Sequence, residues 1–470
     1  MKKALILILA YNAERHIASV LSRIPQSLWN NDKYKSEVVV IDDCSQDATS
    51  HVAREYISAS QNPIRLLRNE INQGYGGNQK VGYTYAIENG YDAVVMVHGD
   101  GQYPPELIPE MIEPLLRGEA DAVFGSRMIN KKDALAGGMP FYKFAGNIVL
   151  TKIQNAMLGS NLSEFHSGFR AYAISALKKI PFQCNSNVFH FDTDIIIQFV
   201  DSGLTIKEIP IPTRYGDEVC HVNGMRYALD VMISTLQSRV QKIGIFYTPK
   251  YDYKPFAYQE KSSFRSSHLF ALSHIKSGDR VLYIGSDDGV IAKHIEEKGA
   301  HVVISSPEQT AFATQRFDVI LLLDIIDCLP NPEQFLSVLY ACCANQNPKI
   351  VVTSSNIAFF LQRIMLLFGQ FNYAKRGTLD MKHTRFYTFS SLRRIFANSG
   401  FNLISIEGIP APFPLAFGDS KISRLLIKVN CRLIKVSKSL FSYQIAAVLR
   451  PMPTLEWLVE HAIQYGDKTN

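Results

Sequence analysis

Short runs of apolar residues alternate along this chain with longer segments in which apolar positions recur every three or four residues. In the first half, the runs predict β-strands at Ala4 to Leu9, Glu37 to Ile41, Ile64 to Arg68, Ala93 to Val97 and Ala122 to Phe124. The segments between them predict helices such as Glu14 to Ile24, Asp47 to Ser58 and Gly77 to Asn89. Apolar strands that alternate with helices indicate a mostly parallel sheet covered on both faces.

The pattern lapses near Tyr247 and then resumes. The segment TPKYDYKPFAYQEKSSF is rich in aromatic, proline and lysine residues, and a second strand-helix series starts near Arg280. Its apolar runs predict strands at Val281 to Ile284, Val319 to Leu323 and Ile350 to Val352. We find no internal repeat and no low-complexity segment. The sequence therefore predicts an α/β protein with one domain at residues 1–248, a linker at 249–267 and a second domain at 268–470.

Composition narrows the class of protein. With 470 residues, 47% apolar and 20% charged, the chain is globular and too long for a single core. The net charge of +6 is spread along the chain, so we expect no nucleic-acid partner, although a weakly basic surface suits anionic lipid. Seven cysteines without CxxC spacing argue against a disulfide framework and structural zinc, and favour a reducing cytoplasm.

Two features bear on membranes. The start, MKKALILILAYN, has a basic end and an apolar run, but the run is short and no small-residue cleavage site follows, so we interpret it as the first strand. No apolar stretch reaches the roughly 18 residues of a spanning helix. The nearest, Ile357 to Phe371, is interrupted by Gln362 and Arg363. We therefore expect any membrane contact to be peripheral.

The segment VVMVHGDGQ, from Val94 to Gln102, predicts a metal site at the end of a buried strand. His98, Asp100 and Gln102 follow the apolar run, and in an extended backbone alternation would place them on one side. Carboxylate and amide oxygens suit Mg or Mn, and imidazole favours the transition-metal end of that range. By itself, so short a motif is equally typical of a loop of turn-forming residues.

Seven segments in order resemble the motifs of family-2 glycosyltransferases, and within that family the polyprenyl-phosphate and dolichol-phosphate sugar synthases, over residues 4–247. They are LAYNAERHI (Leu9 to Ile17), VVVIDDCSQDAT (Val38 to Thr49), NQGYGGNQKVG (Asn72 to Gly82), HGDGQYPPE (His98 to Glu106), GSR (Gly125 to Arg127), SGFRAY (Ser167 to Tyr172) and IPIPTRYGDE (Ile209 to Glu218). The resemblance implies a GT-A-type nucleotide-sugar-binding domain. It also implies a metal-dependent, inverting sugar transfer to a lipid-linked acceptor in cell-surface glycan or lipopolysaccharide synthesis, on the cytoplasmic face of the membrane.

The resemblance also implies roles for particular residues. Those expected to bind the nucleotide are Ala10, Tyr11, Glu14, Asp42, Asp43, Lys80 and Gly99. His98, Asp100 and Gln102 would hold the cation, which would be Mg or Mn. Asp100, Arg127 and Arg170 are the expected catalytic residues, and Ser167 and Asp192 the expected acceptor residues.

Elementary chemistry supports these roles and leaves alternatives. Asp42 or Asp43 at a strand end can accept hydrogen bonds from base and ribose, or can cap the helix that starts near Asp47. Arg127 and Arg170 are natural phosphate ligands, but an isolated arginine is more often in a surface ion pair. A phosphate acceptor needs no strong base, because its second pKa is about 6. A hydroxyl acceptor would need one, and Asp192 or Asp194 are candidates unless they only cap the following helix.

The chain departs from the family pattern at three positions. Leu9 replaces the usual proline, Ala13 replaces the first of two usual acids, and His98 replaces the first aspartate of the metal loop. The change to Ala13 leaves Glu14 next to it. A neutral imidazole at position 98 lowers the anionic charge of the site and would shift metal preference toward Mn.

A candidate lipid-contact segment is FYKFAGNIVLTKIQNAML, from Phe141 to Leu158. Its apolar residues recur at helical spacing, with Lys143 and Lys152 at the borders. Such a helix lies in the membrane interface or packs into its domain. The resemblance favours the membrane, and we expect the basic, aromatic linker near Lys250 to assist it.

The second block, Arg280 to Leu449, resembles class I S-adenosylmethionine-dependent methyltransferases. The resemblance rests on RVLYIGSDDGVIAKHIEEKGAHVV, FDVILLLDIIDCLPNPEQFL and RGTLDMKHTRFYTFSSLRRIFANSGF. Tyr283 stands where an aspartate is usual, Asp287 where the loop has a glycine, and Ser305 and Ser306 where an acid binds ribose. Only residues 307–316 separate the second strand from FDV, too few for the usual third strand. We therefore expect a degenerate domain and doubtful S-adenosylmethionine binding.

Three functional hypotheses follow. The first is a metal-dependent glycosyltransferase that acts on a lipid-linked acceptor. The second is a bifunctional glycosyltransferase and methyltransferase. The third is a non-catalytic scaffold of a glycan-assembly complex. The donor sugar does not follow from the residues, because sugar contacts depend on backbone and loop shape.

Overall fold

The computed structural model describes residues 1–213, 223–245, 247–253, 264–285, 290–308, 315–344, 346–459 and 461–462. The chain forms two compact units. The first comprises Met1–Arg239 and Thr248–Lys254, and the second Val240–Tyr247 and Pro255–Asn470.

A seven-stranded sheet forms the centre of the first unit, with the strand order β3-β2-β1-β4-β6-β5-β7. Its strands are β1 (Lys2–Ala10), β2 (Tyr34–Asp42), β3 (Ile64–Arg68), β4 (Ala93–His98), β5 (Ala122–Ser126), β6 (Arg170–Ala173) and β7 (Ile206–Pro210). β6 runs antiparallel to both of its neighbours, whereas every other pairing is parallel. β1 is buried from Ala4 to Ala10, as expected for a central strand covered on both faces.

Nine helices of the described residues accompany this sheet. They are α1 (Ile17–Ser22), α2 (Thr49–Ala59), α3 (Gly74–Glu88), α4 (Ile108–Arg117), α5 (Lys131–Ala136), α6 (Phe141–Leu158), α7 (Ile174–Leu177), α8 (Phe191–Ser202) and α9 (Gly224–Gln241). α1 begins at Ile17 rather than at the predicted Glu14, and the preceding residues form a turn in which the His16 and Ile17 amides both donate to the Ala13 carbonyl at 2.9 Å. β6 was not predicted, since four residues are too few to show a period.

The second unit is built on a six-stranded sheet with the order β12-β13-β11-β10-β8-β9. Its strands are β8 (Arg280–Ile284), β9 (His301–Ser305), β10 (Val319–Leu323), β11 (Lys349–Ser355), β12 (Phe401–Ile409) and β13 (Gln444–Pro451). The first four are parallel, and β13 runs antiparallel to both of its neighbours. Among the described residues, β9 and β12 are the two edge strands, and residues 309–314 lie outside them.

The helices of the second unit surround this sheet. They are α10 (Ser267–Ser273), α11 (Val290–Glu297), α12 (Pro332–Cys343), α13 (Phe360–Leu367), α14 (Phe389–Asn398), α15 (Phe413–Phe417), α16 (Lys421–Val436) and α17 (Lys438–Phe441). Within the described parts of the chain, no helix combines the length and the apolar character needed to cross a bilayer. The α/β class with two sheet domains, predicted from the apolar runs, is confirmed.

The segment predicted to be a linker is partly structured. Residues Pro249–Tyr251 form a single 3₁₀ turn that packs in the first unit. The Lys250 ammonium group lies 2.8 Å from the Asp194 carboxylate, and its side chain is largely buried. Lys250 is therefore held by α8, and the structure does not place it on a lipid-facing surface. Residues 254–263 lie outside the described part.

Candidate functional site at the carboxyl edge of the first sheet

Three of the predicted motifs meet because their strands are parallel neighbours. β1 lies between β2 and β4, with Ala10 paired to Asp42 and Leu9 paired to His98. The backbone amide of Asp43 donates to the Ala10 carbonyl at 2.9 Å, and that of Gly99 donates to the Leu9 carbonyl at 2.8 Å. The carboxyl ends of parallel strands share one edge of a sheet, so these residues lie together.

Gly99 is required by close packing. A β-carbon at this position would lie 3.1 Å from the Leu9 carbonyl oxygen and 3.3 Å from two atoms of Ala10. Ala10 is itself buried, whereas Tyr11, the next residue, is exposed. The backbone of Gly99 is therefore tightly packed against the end of β1, and the Tyr11 side chain extends into solvent.

Asp42 is fully buried and has its partners within the protein. Its carboxylate accepts hydrogen bonds from the Ser45 amide at 2.9 Å and from the Ser50 hydroxyl. The Arg68 guanidinium lies 3.7 Å away. The Asp42 carboxylate thus holds the loop after β2 and the first turn of α2.

Asp43 is also buried and orders the glycine-rich loop. One of its oxygens accepts from the Gln73 amide at 2.8 Å and the Asn69 side chain at 2.7 Å, and the other accepts from the Gly74 amide at 3.0 Å. These amides begin α3, so Asp43 caps that helix from another part of the chain. The alternative considered for Asp42 or Asp43 was a cap on the helix that starts near Asp47, whereas Asp43 caps α3, which begins at Gly74 rather than at the predicted Gly77.

Glu14 joins the loop after β1 to the loop after β2. Its carboxylate accepts from the Ala48 amide at 2.8 Å, and its own amide donates to Asp47 at 3.2 Å. Asp47 caps α2 through the Thr49 amide at 3.0 Å. The Glu14 side chain remains exposed, at the solvent side of these contacts.

The metal motif differs from the extended segment expected from alternation. β4 ends at His98, and the chain then turns, with Gly101 left-handed at a φ of 78°. Asp100 stabilises the turn by accepting from the Gln102 amide at 3.0 Å. The turn folds Asp100 back, so that its Oδ2 lies 4.0 Å from His98 Nδ1.

This pair has the donor set of a cation site. The His98 nitrogen and the Asp100 oxygen lie 4.0 Å apart, about 1 Å more than adjacent ligands of one octahedral cation with bonds of about 2.1 Å, so binding would draw the two side chains together. The Asp100 side chain is 40% exposed, so it is open to a ligand. Among the described residues, no third His, Cys, Asp or Glu completes a cluster. Further ligands would therefore have to come from Gln102, water or the substrate.

Tyr75 connects this pair to the acceptor motif, and the sequence analysis missed it. Its hydroxyl donates to Asp192 at 2.9 Å and lies 3.3 Å from His98 Nε2. Burial, then the Asp192 charge, raises the pKa of Tyr75 well above its usual value. The sequence offers only one sign of it, a single aromatic residue inside a glycine-rich loop.

Gly168 makes the contact between His98 and Tyr75 possible. A β-carbon here would lie 2.6 Å from His98 Cε1 and 3.0 Å from the Tyr75 hydroxyl. The Gly168 amide donates to the Tyr103 hydroxyl at 2.8 Å, and Tyr103 packs edge-on against His98. Gly168 of the SGFR motif thus packs directly against the His98 imidazole.

Arg170 is buried, with 1% of its side chain exposed, and is not at the surface where a substrate phosphate would approach. Its guanidinium donates to the backbone carbonyls of Phe165, Ser167 and Asp192 at 2.7 to 3.1 Å. Burial alone would lower the pKa of Arg170, but Asp192 outweighs it, and the pKa stays above its usual value. Ser167 and Asp192 are nearly buried as well. Arg170 thus ties together the two expected acceptor residues.

Arg127 forms an ion pair that is largely buried, not the surface pair considered above. Its amide donates to Glu164 at 2.7 Å and its Nε donates at 3.1 Å. Burial raises the pKa of Glu164, but the Arg127 charge and hydrogen bonds outweigh it and leave the pKa below its usual value. Asn147 on α6 donates to the same carboxylate at 2.8 Å.

Lys80 lies on α3, away from the strand ends. Its ammonium group donates to the Asn185 carbonyl and, at 2.7 Å, to the Asn187 side chain. Burial lowers the pKa of Lys80. The structure therefore brings together the residues at the ends of β1, β2 and β4, which are Ala10, Asp42, Asp43, His98, Gly99 and Asp100, and places Lys80 against the 185–187 loop.

In the second unit, Tyr283 covers the start of the expected cofactor loop. A β-carbon on Gly285 would lie 2.6 Å from the Tyr283 hydroxyl. Ser305 ends β9 at the same edge. Asp287, expected to obstruct the loop, lies outside the described residues.

Comparison with known proteins identifies both units. The family model described as glycosyl transferase family 2 matches residues 5–181, and one described as a methyltransferase domain matches residues 256–406. An uncharacterized protein of Methanocaldococcus jannaschii is 30% identical over 206 residues, which cover 44% of this chain and 79% of that protein. The chain belongs to glycosyl transferase family 2, and it carries a methyltransferase-type domain in its second half.

Named relatives agree with this family. The UDP-N-acetylglucosamine–dolichyl-phosphate N-acetylglucosaminyltransferase of Methanococcus voltae is 29% identical, over 45% of this chain and 85% of that enzyme. The undecaprenyl-phosphate mannosyltransferase of Micrococcus luteus is 28% identical, over 44% of this chain and 82% of that enzyme. Among solved structures, mannosyl-3-phosphoglycerate synthase from Rubrobacter xylanophilus covers 54% of this chain and 78% of its own, with 15% identity and a TM-score of 0.41.

Proposed function

We propose that this protein transfers a sugar, with inversion, from a nucleotide-sugar donor to a polyprenyl phosphate, in the assembly of a cell-surface glycan or lipopolysaccharide. The observation that carries the proposal is the His98–Asp100 pair at the sheet edge where β1 and β2 also end. Family membership and the names of the relatives support the reaction class and the acceptor class.

A divalent cation, Mg or Mn, would be held by His98 and Asp100, with Gln102 close by. When bound, it would act as a Lewis acid toward the diphosphate that leaves. The protein's own contribution is to fix the two ligands. Tyr75 faces His98 Nε2, which leaves Nδ1 directed at Asp100. The second partner of an imidazole sets which nitrogen is free to bind a ligand.

A phosphate acceptor would need no general base from the protein. A phosphate monoester has a second pKa of about 6 and is largely dianionic at neutral pH, so no base has to remove a proton. This agrees with the position of Asp192, whose oxygens are occupied by Tyr75 at 2.9 Å and Gln79 at 3.2 Å. Asp192 would orient Tyr75 and would act on the acceptor only through it.

Donor binding would use the exposed part of the edge. Tyr11 and Glu14 are open to solvent there, and Gly99 adds no side chain of its own. Asp42 and Asp43 would hold the surrounding loops in place, with the nucleotide above them. Arg127 would contribute positive charge near the site while it remains paired with Glu164.

Two helices of the first unit support peripheral contact with the membrane that carries such an acceptor. On α6 the residues Phe141, Tyr142, Val149 and Ile153 are exposed, whereas Asn147, Thr151 and Gln154 are buried. α9 repeats this arrangement, with exposed Met225, Leu229, Ile233 and Leu236 over buried Ser234, Thr235 and Ser238. Gln154 donates to Thr235 at 3.4 Å, so a polar contact joins the two helices while the listed apolar side chains remain exposed.

The second unit would not methylate. Tyr283 covers the loop start, and the ribose-binding acid is replaced by Ser305. Contacts to the adenine side need a third strand, which is absent from the described residues beyond β9. We propose that this unit serves binding or orientation instead.

Thermal melting of the full chain with a panel of nucleotide sugars, with and without Mg or Mn, tests the donor and the cation. A ligand that stabilises only when the cation is present supports the site, and transfer of that sugar to detergent-solubilised polyprenyl phosphate tests the reaction. Asp100→Asn serves as the matched variant, and Asp92→Asn, which directly precedes β4 at its opposite end, as the control. Failure of every nucleotide to stabilise the protein would support the scaffold hypothesis.

A further inference from the structure

α16 in the second unit exposes a continuous apolar row. The row consists of Ile422, Leu425, Val429, Leu433 and Val436, whose side chains are 38 to 79% exposed. Their spacing of three and four residues keeps them on one side of the helix. An exposed apolar row of this length is uncommon on a surface that only meets water.

A basic row runs beside it. Each apolar residue of the row is directly preceded by a lysine or arginine: Lys421, Arg424, Lys428, Arg432 and Lys435. All five basic residues are exposed, and α16 contains no Asp or Glu. Among the described residues, the acid that pairs with this helix is Asp419, which contacts Arg424 at 2.9 Å. The exposed side of α16 is therefore apolar and strongly cationic.

Buried contacts on the remaining side of α16 fix the orientation of the helix. Asn430 is buried, accepts from the Ala411 amide at 2.9 Å and donates to the Phe441 carbonyl at 2.9 Å. Ser423 and Ile434 are buried on the same side. These contacts prevent the apolar row from turning inward, so its exposure is a property of the folded unit.

A basic cleft begins at the end of this helix. Lys438, two residues after Val436, lines a cavity of about 730 Å³ together with Arg363, Arg393 and Arg394. Arg363 lies on α13 and donates to Ser439 at 3.3 Å, which joins α13 to α17. α13 ends in further exposed apolar side chains, which are Ile364, Leu366, Leu367 and Phe368.

We infer that α16, with the adjoining basic cleft, docks the second unit on the surface of a bilayer that contains anionic lipid. The apolar row would lie among the acyl chains near the headgroups, and the basic row and the cleft would face lipid phosphates. A second copy of this helix is a poorer occupant, because two basic rows would then face each other. The inference goes beyond the sugar transfer, since it assigns a role to the unit that does not carry the transfer site.

Sedimentation of the full chain with vesicles tests the inference. The mixtures contain no donor, acceptor or added divalent cation, so binding is measured independently of transfer. The protein should bind vesicles of phosphatidylcholine with 30% phosphatidylglycerol and should bind pure phosphatidylcholine at least tenfold more weakly. Leu425→Glu combined with Val429→Glu should weaken binding at least tenfold without changing the melting temperature. Ile304→Glu, on an exposed apolar residue of β9, should bind like the unchanged protein.

Variants that reverse charges of the basic row test whether the occupant is an anionic lipid surface. Lys428→Glu combined with Arg432→Glu should weaken vesicle binding and reduce its dependence on salt. Lys178→Glu combined with Lys179→Glu makes the same change of charge in the first unit and should have a much smaller effect on both. Unchanged binding of the α16 variants, with loss only in Val149→Glu, Ile153→Glu, would overturn the inference and leave α6 as the lipid contact. It would also be overturned if inorganic phosphate at millimolar concentration displaced the protein completely, or if the row instead mediated dimers in solution.

Discussion

The Tyr75 hydroxyl donates a 2.9 Å hydrogen bond to the Asp192 carboxylate, which lies 117 residues later in the chain. The same oxygen lies 3.3 Å from His98 Nε2. One tyrosine therefore joins the glycine-rich loop, the metal motif and the first turn of α8. It fixes the imidazole ring from the side opposite to Asp100.

Tyr75→Phe should keep the fold, because the ring retains its stacking on Phe189, with centroids 5.3 Å apart. It should reduce transfer about tenfold or more, since a lost partner of a ligand commonly costs 10- to 100-fold. Titration of Mn in a binding assay should show weakened affinity, which a purely structural role would not produce. Tyr56→Phe on α2 is the control and should leave transfer and Mn affinity unchanged.

Asp100→Ala should abolish sugar transfer and leave the protein folded. The side chain is 40% exposed and its hydrogen bond is to the Gln102 amide, so its removal opens no cavity in the core. Transfer above a few percent of the original rate in a purified, folded variant would refute the cation assignment.

His98→Asp tests the departure from the family pattern. The variant should remain active and should shift its preference from Mn toward Mg, because a second carboxylate adds hard, anionic oxygen. The ratio of transfer rates with the two cations is the measurement. An unchanged ratio would mean that position 98 does not bind the cation.

Glu164→Gln should destabilise the first unit by about 3–5 kcal/mol, because it leaves the largely buried Arg127 charge unpaired. The pKa of Glu164 is below its usual value, so its contribution is present at neutral pH and is lost as the pH falls through that lowered value. Glu113→Gln, which breaks an exposed pair with Arg117, should cost less than about 1 kcal/mol. Equal losses in the two variants, measured by denaturant titration, would contradict the buried-pair account.

Asp327 should give the stability of the second unit a pH dependence opposite to the one that Glu164 gives the first unit. Burial raises its pKa to about 6, against a usual value near 4, although His383 at 3.8 Å lowers it in part. The folded state then holds more protons than the unfolded state between about pH 4 and 6, so the free energy of unfolding should fall as the pH rises through that interval. Asp327→Asn should remove this slope in melting experiments, and Asp419→Asn, fully exposed, should not.

In calorimetric titration, S-adenosylmethionine should bind the full chain at least tenfold more weakly than a micromolar ligand, because two lost contacts or clashes cost about 2–6 kcal/mol together. Each lost polar contact or forced clash costs about 1–3 kcal/mol, and a micromolar ligand has only about 8 kcal/mol in total. Tyr283 over Gly285 and the missing ribose-binding acid account for two such losses. A dissociation constant in the low micromolar range would establish the bifunctional hypothesis.

Much of the fold follows from the sequence, because apolar runs and helical periods are local. The five strands predicted in the first half all occur, and β3 has the predicted bounds, Ile64–Arg68. The meeting of Ala10, Asp42 and His98 also follows, since each ends a strand of a parallel sheet and such ends share one edge. In the second half, β10 likewise spans the predicted Val319–Leu323.

The tertiary structure decided which polar groups lie at the exposed edge of the sheet and which are buried in contacts within the protein. Arg170 and Arg127 have the same chemistry in the sequence, yet loop packing buries the first under three carbonyls and pairs the second with Glu164. The Tyr75–Asp192 bond likewise depends on two loops that are remote in the chain. A period of three or four shows that a helix has two faces, but not which face is buried. In α6, α9 and α16 hydrogen bonds hold polar side chains inside, so the apolar faces are left outside, and only the packed structure reveals this.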